Sequence, residues 1–349
     1  MEVFECILEF IQQMLTILVI LTLLHVLING FHDGCNVFAT IISSRSMSPR
    51  QALAIACLAE FTGVLCLGTA VAQTIGKGIY SQHMLQLSPE TVRTVLLAAV
   101  IACIAWNLIT YVLRLPSSSS HALVGGLIGS GVVVSGFDAI LWKSFTSNVL
   151  VPLFITPLIG FAFSWILMKW LLGLFRNYHP RVAHFFKKIQ FGSLIFLGMS
   201  HGSNDAQKSI GIISLAVAAG SMAAGFQIRF WTVLACALAI TVGLSFGGWQ
   251  IIKTLHRQVP RMTPLHSLAS QASSGIIIYL ASIIGFPVST TQTAASTIMG
   301  AGAGYRISNV RWGITKNIII AWLVTIPAAA VISAITCVLI MKRRVLCGY

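Results

Sequence analysis

The sequence predicts an all-α integral membrane protein that is built from two repeats and contains broken helices or re-entrant hairpins. Three observations lead to this fold class. The 349 residues are 56% hydrophobic and only 9% charged, with a mean hydropathy of +0.88. Apolar stretches recur along the whole chain, and one polar motif occurs once in each half. A soluble domain carries roughly 25% charged residues, so the composition excludes a globular enzyme of this length.

Ten apolar stretches supply the membrane segments. Several reach the roughly 20 residues that a helix needs to cross the hydrocarbon core. Others are shorter and are broken by Gly or Ser, as expected of half-helices or re-entrant hairpins. We therefore expect about ten to twelve membrane segments. The stretches comprise residues 14–28, 52–73, 94–113, 122–135, 149–174, 209–224, 230–252, 274–286, 293–303 and 317–341.

The repeat is defined by two polar motifs, each followed by a cluster of hydroxyl side chains. Residues 29–36 read NGFHDGCN, and residues 201–208 read HGSNDAQK. The hydroxyl clusters are PSSSSH at residues 116–121 and PVSTTQ at residues 287–292, and they begin 83 and 82 residues after the aspartate of each motif. Repeated carboxylates and hydroxyls in apolar surroundings are typical of a transporter whose polar site lies near the middle of the membrane.

This spacing divides the chain into a first membrane repeat, residues 1–174, and a second membrane repeat, residues 191–349. Between them lies a basic linker, residues 175–190. Basic residues of membrane proteins concentrate in cytoplasmic loops, so we expect the linker in the cytoplasm and the acidic N-terminus outside. The net charge of +14 does not indicate a nucleic-acid partner, because no polar domain could present a basic surface.

Two matched acids predict a cation site. Asp33, Glu60 and Asp205 are expected at membrane depth, where a carboxylate costs a few kcal/mol on insertion scales and faces a polar cavity or a partner. Asp33 and Asp205 occupy equivalent places of the two motifs, and each has a nearby amide, Asn36 or Asn204. Four such residues fit the binding of a coupling ion. Capping of a half-helix by each aspartate is the alternative.

Four polar residues near the motifs are not matched between the halves. Glu60 has no acidic counterpart, since the 172-residue offset between the two aspartates leads to Thr232. We expect a structural salt bridge between Glu60 and a basic residue such as Lys208, and a part in proton movement is the alternative. His32 and His121 either titrate and couple transport to protons or are buried, hydrogen-bonded histidines.

Both hydroxyl clusters have the pattern of a helix N-terminus, with Pro followed by Ser or Thr at the head of an apolar segment. A helix N-terminus presents unpaired N–H groups and the positive end of the helix dipole. Two such termini meeting at the repeat interface would surround one tetrahedral oxyanion. Helix–helix contacts through the hydroxyls are the alternative. The candidate anion ligands are Ser118, Ser119, Ser120, Ser289, Thr290 and Thr291.

These motifs resemble the inorganic phosphate transporter (Pit) family, whose two halves each carry a Gly-x-Asn-Asp-type signature. They are most similar to its bacterial low-affinity branch. The resemblance covers almost the whole chain and implies two inverted-topology repeats, symport of phosphate with a cation, and alternating access. By motif match it assigns the coupling ion to the two aspartates and two amides, and phosphate to the six hydroxyls. The matching motifs are residues 29–33, 116–121, 200–208, 270–271 and 287–291.

Three departures from the family pattern bear on the driving ion. His32 stands at the first Asn of the signature, Lys208 stands where sodium-coupled members carry a second Asn, and Gln292 replaces a His after the second hydroxyl cluster. A fixed ammonium at Lys208 could replace a sodium ion or pair with phosphate directly. We therefore expect coupling to protons, with sodium as the alternative. The bacterial branch also accepts metal–phosphate complexes, so a divalent metal co-transported with phosphate is a further expectation.

The sequence thus predicts a multi-pass secondary importer of inorganic phosphate in the cell inner (plasma) membrane, without catalytic residues, a resident metal or a cofactor. Its expected partners are phosphate and the lipid bilayer, and a homodimer is compatible with the sequence. A permease for sulfate, which is also tetrahedral, is the nearest alternative. An anion channel is the rival from another class.

Overall fold

The computed structural model describes residues 2–113, 115, 117–175, 182–219, 225–247, 259 and 262–346. These residues form helices and no β-strand, apart from one isolated bridge between Tyr80 and Ile140. The fold is therefore all-α, as predicted. Pro116 and residues 176–181 of the expected linker lie outside the described residues.

Nine helices belong to the first half of the described chain. A π-helical turn, Thr146–Leu150, leads into the ninth, which contains Pro157. The helices are α1 (Glu2–Asp33), α2 (Cys35–Ser43), α3 (Pro49–Cys66), α4 (Ala70–Lys77), α5 (Gln82–Leu85), α6 (Pro89–Val112), α7 (Ser119–Ser135), α8 (Trp142–Phe145) and α9 (Val151–Leu174).

Five helices follow among the described residues of the second half. The last of them contains Pro327, so the long helix at the end of each half has an internal proline, which removes one backbone hydrogen bond. The helices are α10 (Val182–Ala218), α11 (Phe230–Ser245), α12 (Pro264–Ile284), α13 (Thr290–Tyr305) and α14 (Trp312–Leu346).

The described helices place apolar side chains outward and polar ones inward, as a chain dissolved in lipid requires. Leu58, Val112 and Leu158 are 68–76% exposed, whereas the carboxylates at the centre are buried. Among the described residues, six helices are long and apolar enough to cross a membrane, and a seventh span arises if α3 and α4, which are bent by 64°, count as one. The predicted apolar stretches fall on helices over their described residues, except at some ends and at residues 67–69, where the stretch 52–73 is broken between α3 and α4.

Each half contributes a helical hairpin whose tip carries a hydroxyl cluster. In the first hairpin α6 leads into α7, and in the second α12 leads into α13. The two tips touch, because the Ser120 hydroxyl donates to the carbonyl oxygen of Val288 at 3.0 Å. Both hairpins therefore have the form that the sequence predicts for re-entrant segments, with their N-terminal helix ends directed at one point.

The two halves interlock rather than form separate domains. The hairpin helix α7 packs along α14 of the second half, and α13 packs along α9 of the first. The motif helices cross over in the same way, α1 against α11 and α10 against α3. Every one of these packing relations has a counterpart after exchange of the halves, which agrees with the predicted duplication.

Glycines allow the motif helices to approach at backbone distance and show which positions are equivalent. A Cβ atom at Gly30 would lie 2.1 Å from the carbonyl oxygen of Ile240, and one at Gly202 would lie 2.7 Å from that of Glu60. Because the two glycines are equivalent in the motifs, Ile240 is the counterpart of Glu60. The 172-residue offset between the two aspartates leads to Thr232 and therefore missed this counterpart. The reason is that the chain between the motif and the following long helix, α3 or α11, differs in length between the halves.

A methyl group at Gly30 is expected to disrupt this contact. Gly30→Ala should markedly lower both the yield of monodisperse protein and its melting temperature, because the backbone of Ile240 cannot move away within the packed helix pair. Gly192→Ala, in α10 with open space at its Cβ position, is the matched control and should be neutral or slightly stabilising. Equal behaviour of the two variants in size-exclusion and melting measurements would contradict the close helix approach.

Candidate functional site

All fourteen candidate residues of the sequence analysis are buried inside this apolar exterior. Their exposed fractions do not exceed 4%. They come from the motif helices α1 and α10, from α2 and α3, and from the two hairpin tips, which meet at the centre of the molecule. The buried candidates are His32, Asp33, Asn36, Glu60, Ser118, Ser119, Ser120, His121, Asn204, Asp205, Lys208, Ser289, Thr290 and Thr291.

Asp33 is the carboxylate of the first half. One of its oxygens lies 2.7 Å from Nδ1 of His32, and the other accepts a 2.6 Å hydrogen bond from the Ser119 hydroxyl. Asp33 is the last residue of α1. It therefore does not cap a helix N-terminus, and the capping alternative is excluded for this aspartate.

Asp205 is the carboxylate of the second half and has the same type of partner. Its Oδ1 forms a 2.6 Å ion pair with Nζ of Lys208, and its Oδ2 accepts from the Thr290 hydroxyl at 2.9 Å and from the Asn29 amide at 3.3 Å. Asp205 lies inside the continuous helix α10. The second motif consequently does not break its helix, whereas the first motif does so at Gly34.

Contacts between the halves follow the same symmetry. Lys208 donates from Nζ to the Ser120 hydroxyl at 2.6 Å and to the carbonyl oxygen of Val288 at 2.8 Å. Asn36 donates from Nδ2 to the Thr291 hydroxyl at 3.0 Å. Asn36 and Lys208 hold equivalent motif positions, and each binds the hairpin tip of the opposite half. An amide in one half is thus replaced by an ammonium in the other.

The two predicted amides do not contact the acids of their own motifs. Asn204 donates to the Ser282 hydroxyl at 2.9 Å and to the carbonyl oxygen of Phe286 at 3.2 Å, so it binds the second hairpin instead. The Oδ1 atoms of Asn36, Asn204 and Asn29 have no hydrogen-bond partner. Buried amide oxygens without donors are available to a cation or to water.

Glu60 is paired with His201. The sequence had suggested Lys208 as its partner, and Lys208 is paired with Asp205 instead. Its Oε1 lies 2.7 Å from Nδ1 of His201, while Nε2 of the same ring lies 3.5 Å from Asp205. The imidazole therefore stands between two carboxylates. Oε2 of Glu60 has no hydrogen-bond partner.

The hydroxyl clusters begin helices, as predicted, and the hydroxyls of each cluster have two different roles. Ser118 is the N-cap of α7 and accepts from the His121 N–H at 3.1 Å, and Ser289 is the N-cap of α13 and accepts from the Gln292 N–H at 3.3 Å. These two hydroxyls stabilise the helix ends. The following two hydroxyls in each tip are the ones that contact the motif side chains. The side chain of Gln292 lies 3.3 Å from Nδ1 of His121 and joins the tips.

Side chains besides the fourteen candidates also contact the site, among them Asn29 and His201, described above, and Gln207 and His25. Oε1 of Gln207 accepts from the N–H of Val71 at 2.8 Å, which fixes the start of α4 on the second motif helix. His25 lies 3.2 Å from the Ser209 hydroxyl and 3.1 Å from the Cys103 thiol. The signal for His25 was the one titratable residue in the apolar stretch 14–28. Gln207 gave no signal beyond its place in the motif.

The carboxylates of the site outnumber its ammonium groups, so the site can bind additional cations. Three carboxylates face one ammonium, and the two imidazoles beside them can bind or release a proton. Two helix N-termini with their hydroxyls offer donors to an anion at the same place. One buried centre can therefore hold an oxyanion and compensating cations together.

Comparison with known proteins agrees with this geometry. The model of the phosphate transporter family matches residues 29–178 and 174–333. Two relatives are named as probable low-affinity inorganic phosphate transporters. The Rhizobium meliloti protein is 39% identical over 88% of this chain and 91% of its own length. The Bacillus subtilis protein is 37% identical over 91% of this chain and 97% of its own length. A solved structure described as the sodium-dependent phosphate transporter aligns with a TM-score of 0.86 and 25% identity, over 95% of this chain and 99% of that chain. The chain belongs to the phosphate transporter family.

Proposed function

We propose that the protein imports inorganic phosphate by symport with protons across the cell inner membrane, with access to the site alternating between the two sides. The observation that carries this proposal is the meeting of two hydroxyl-bearing helix N-termini with three buried carboxylates at one point. Phosphate near neutral pH carries one to two negative charges, and each costs roughly 2.3 kcal/mol per 100 mV on its way into a negative interior. Import consequently requires co-transported cations or a neutral metal–phosphate complex.

The hydroxyls of Ser119 and Thr290 link the cation site to the phosphate site. Each of them donates its hydrogen bond to a carboxylate, Asp33 or Asp205. A protonated or cation-bound carboxylate is a weaker acceptor, so its hydroxyl becomes available to donate to a phosphate oxygen. Cation binding and phosphate binding then strengthen each other, and by linkage the effect is reciprocal.

The partners of the carboxylates favour protons over sodium. Asp33, Glu60 and Asp205 each have a side-chain nitrogen at 2.6–2.7 Å, from His32, His201 and Lys208. Transporter sites for sodium are built from carbonyl and carboxylate oxygens, whereas here nitrogen bases occupy one side of each carboxylate. Sodium coupling is the alternative, since the structural relative is described as sodium-dependent.

The charges at the open ends of the hairpins support inverted repeats. The open end of the first hairpin carries Glu90, Arg93, Asp138 and Lys143, whose charges cancel, whereas that of the second carries Arg306 and Arg311. By the positive-inside rule the second hairpin enters from the cytoplasm. The first then enters from the opposite side, and the two tips meet between the membrane surfaces.

Uptake into proteoliposomes tests the proposal. With labelled phosphate and an acidic exterior, we expect accumulation above the external concentration, loss of accumulation with a protonophore, and no requirement for sodium. Protein-free liposomes are the control, and parallel reactions with and without Mg²⁺ show whether a metal–phosphate complex is carried.

Other outcomes select the alternatives. Accumulation that requires a sodium gradient indicates sodium symport. Equilibration without accumulation indicates a channel, and equal competition by sulfate indicates a general oxyanion permease.

A further inference from the structure

A second polar cavity lies at the open end of the second hairpin, where α12 begins and α13 ends. Its volume is about 480 Å³. The 16-residue helix α13 separates it from the hydroxyl cluster by roughly 24 Å, so it is distinct from the buried site. We name it the rim cavity, and its wall includes Thr263, His266, Arg306, Ser308, Asn309 and Arg311.

The rim cavity carries two positive charges without acidic compensation. Arg306 and Arg311 both line it, and no carboxylate is among its lining residues. The acids whose side chains the structure describes lie either in the buried site or, as Glu90 and Asp138, at the open end of the other hairpin. Two guanidinium groups at one water-accessible cavity favour an anion.

The corresponding loop of the first half shows that the turn itself does not need arginine. In both halves a 3₁₀ turn, Gly136–Ala139 or Ile307–Asn309, separates the hairpin from a helix that begins with Trp142 or Trp312. Counting back from these tryptophans, Gly136 and Leu141 stand where the second half has Arg306 and Arg311. A 3₁₀ turn between hairpin and helix thus forms without arginine at either position, although the backbone at Gly136 (φ 66°) differs from that at Arg306 (φ −159°), and the turn itself leaves the arginines for another role.

Neutral donors complete the wall, and one of them is held in place. His266 lies with Nδ1 2.7 Å from the Thr263 hydroxyl and with Nε2 3.4 Å from the Asn309 amide, and its ring meets Tyr305 edge-on at 5.1 Å. Both ring nitrogens of His266 and the Thr263 hydroxyl are thus engaged within the protein, so the two guanidinium groups and the Ser308 hydroxyl are the donors left for phosphate oxygens.

We propose that the rim cavity binds a phosphate group, either as free inorganic phosphate or as the headgroup of an anionic lipid. The positive-inside rule places this surface in the cytoplasm, where both sources are present. The inference does not depend on the driving ion, because the cavity shares no residue with the buried site.

The test compares the full-length protein with a variant in which two residues of the rim cavity are replaced by those at the matching positions of the first half. Arg306→Gly combined with Arg311→Leu removes both guanidinium groups. It introduces the residues that stand at the matching positions of the first half, Gly136 and Leu141. Lys316→Ala, an exposed cation one turn into α14, is the control for loss of charge alone. Binding of labelled inorganic phosphate is measured in phosphatidylcholine nanodiscs, and retention of phosphatidic acid is measured by native mass spectrometry in nanodiscs that contain it.

The expected result is selective loss in the double variant. Phosphate binding at the rim cavity should weaken by at least about tenfold, as loss of charge-assisted hydrogen bonds implies, while the buried site still binds phosphate. If instead only retention of phosphatidic acid falls, the ligand is the lipid headgroup. The proposal is overturned if neither readout changes, or if Lys316→Ala has the same effect as the double variant. Absence of phosphate binding at the buried site of the wild type speaks against the proposed transport function and not against the rim cavity.

Discussion

Replacement of Asp205 by Asn is expected to abolish phosphate uptake and also to destabilise the protein. The substitution removes a carboxylate from the coupling site and leaves the ammonium of Lys208, which is 2.6 Å away and buried, without its counter-charge. Breaking a buried ion pair on one side costs about 3–5 kcal/mol. Asp33→Asn should abolish uptake equally but with a smaller loss of stability, because its partner His32 is an imidazole and not a fixed ammonium.

The two readouts are uptake in proteoliposomes and the melting temperature of the purified protein. Asp205→Asn combined with Lys208→Met removes both charges, and we expect it to regain stability without regaining uptake. Asp138→Asn, at an exposed acid outside the site, is the control and should behave as the wild type. Uptake at the wild-type rate in both single variants would rule out the ion-site assignment. Equal melting temperatures of Asp33→Asn and Asp205→Asn would contradict the buried pair with Lys208.

The positions of the site residues could be predicted from the sequence because the membrane restricts polar side chains so strongly. A carboxylate at membrane depth must face the protein interior, so Asp33, Glu60 and Asp205 could only lie in a common polar centre. The Pro-led hydroxyl clusters likewise indicated helix N-termini, and α7 and α13 begin inside these clusters, at Ser119 and Thr290. The duplication then predicted that both tips approach the same centre.

The pairing of these residues could not be predicted, because it depends on how the helices pack. Glu60 lies beside His201 since Gly63 and Gly202 allow α3 and α10 to touch at backbone distance, and no sequence spacing reports that contact. Similarly, the continuity of α10 through the second motif follows from its packing against α3, α11 and α12. The sequence of the first motif, which is broken at Gly34, gave no indication of it.

The equivalence of Asn36 and Lys208 became interpretable only once the structure showed that both bind the opposite hairpin tip. An amide donates to Thr291, and an ammonium donates to Ser120. In the second half the ammonium contacts three oxygen atoms, which is the environment that a bound metal cation would have. Lys208 is thus a built-in cation at a place where the first half has none.

Lys208→Asn is therefore expected to abolish proton-driven uptake and to introduce a dependence on sodium. Without the ammonium, Oδ1 of Asp205, the Ser120 hydroxyl and the Val288 carbonyl lose the group that they contact at 2.6–2.8 Å. These oxygens, together with the new amide oxygen, are of the type that coordinates sodium in transporters. Uptake is measured with a sodium gradient at equal pH on both sides, and with a pH gradient in the absence of sodium.

Two further variants separate the loss of charge from the gain of an oxygen ligand. Lys208→Met also removes the ammonium but supplies no oxygen, so it should transport with neither gradient. Lys208→Arg keeps the charge and should retain some proton-driven uptake without responding to sodium. If Lys208→Asn keeps the proton dependence of the wild type and ignores sodium, Lys208 only stabilises the contact between α10 and the hairpin tips. If sodium activates the Asn variant alone, the residue at position 208 determines which ion drives transport. This is the position at which the first motif has Asn36 and the second has Lys208.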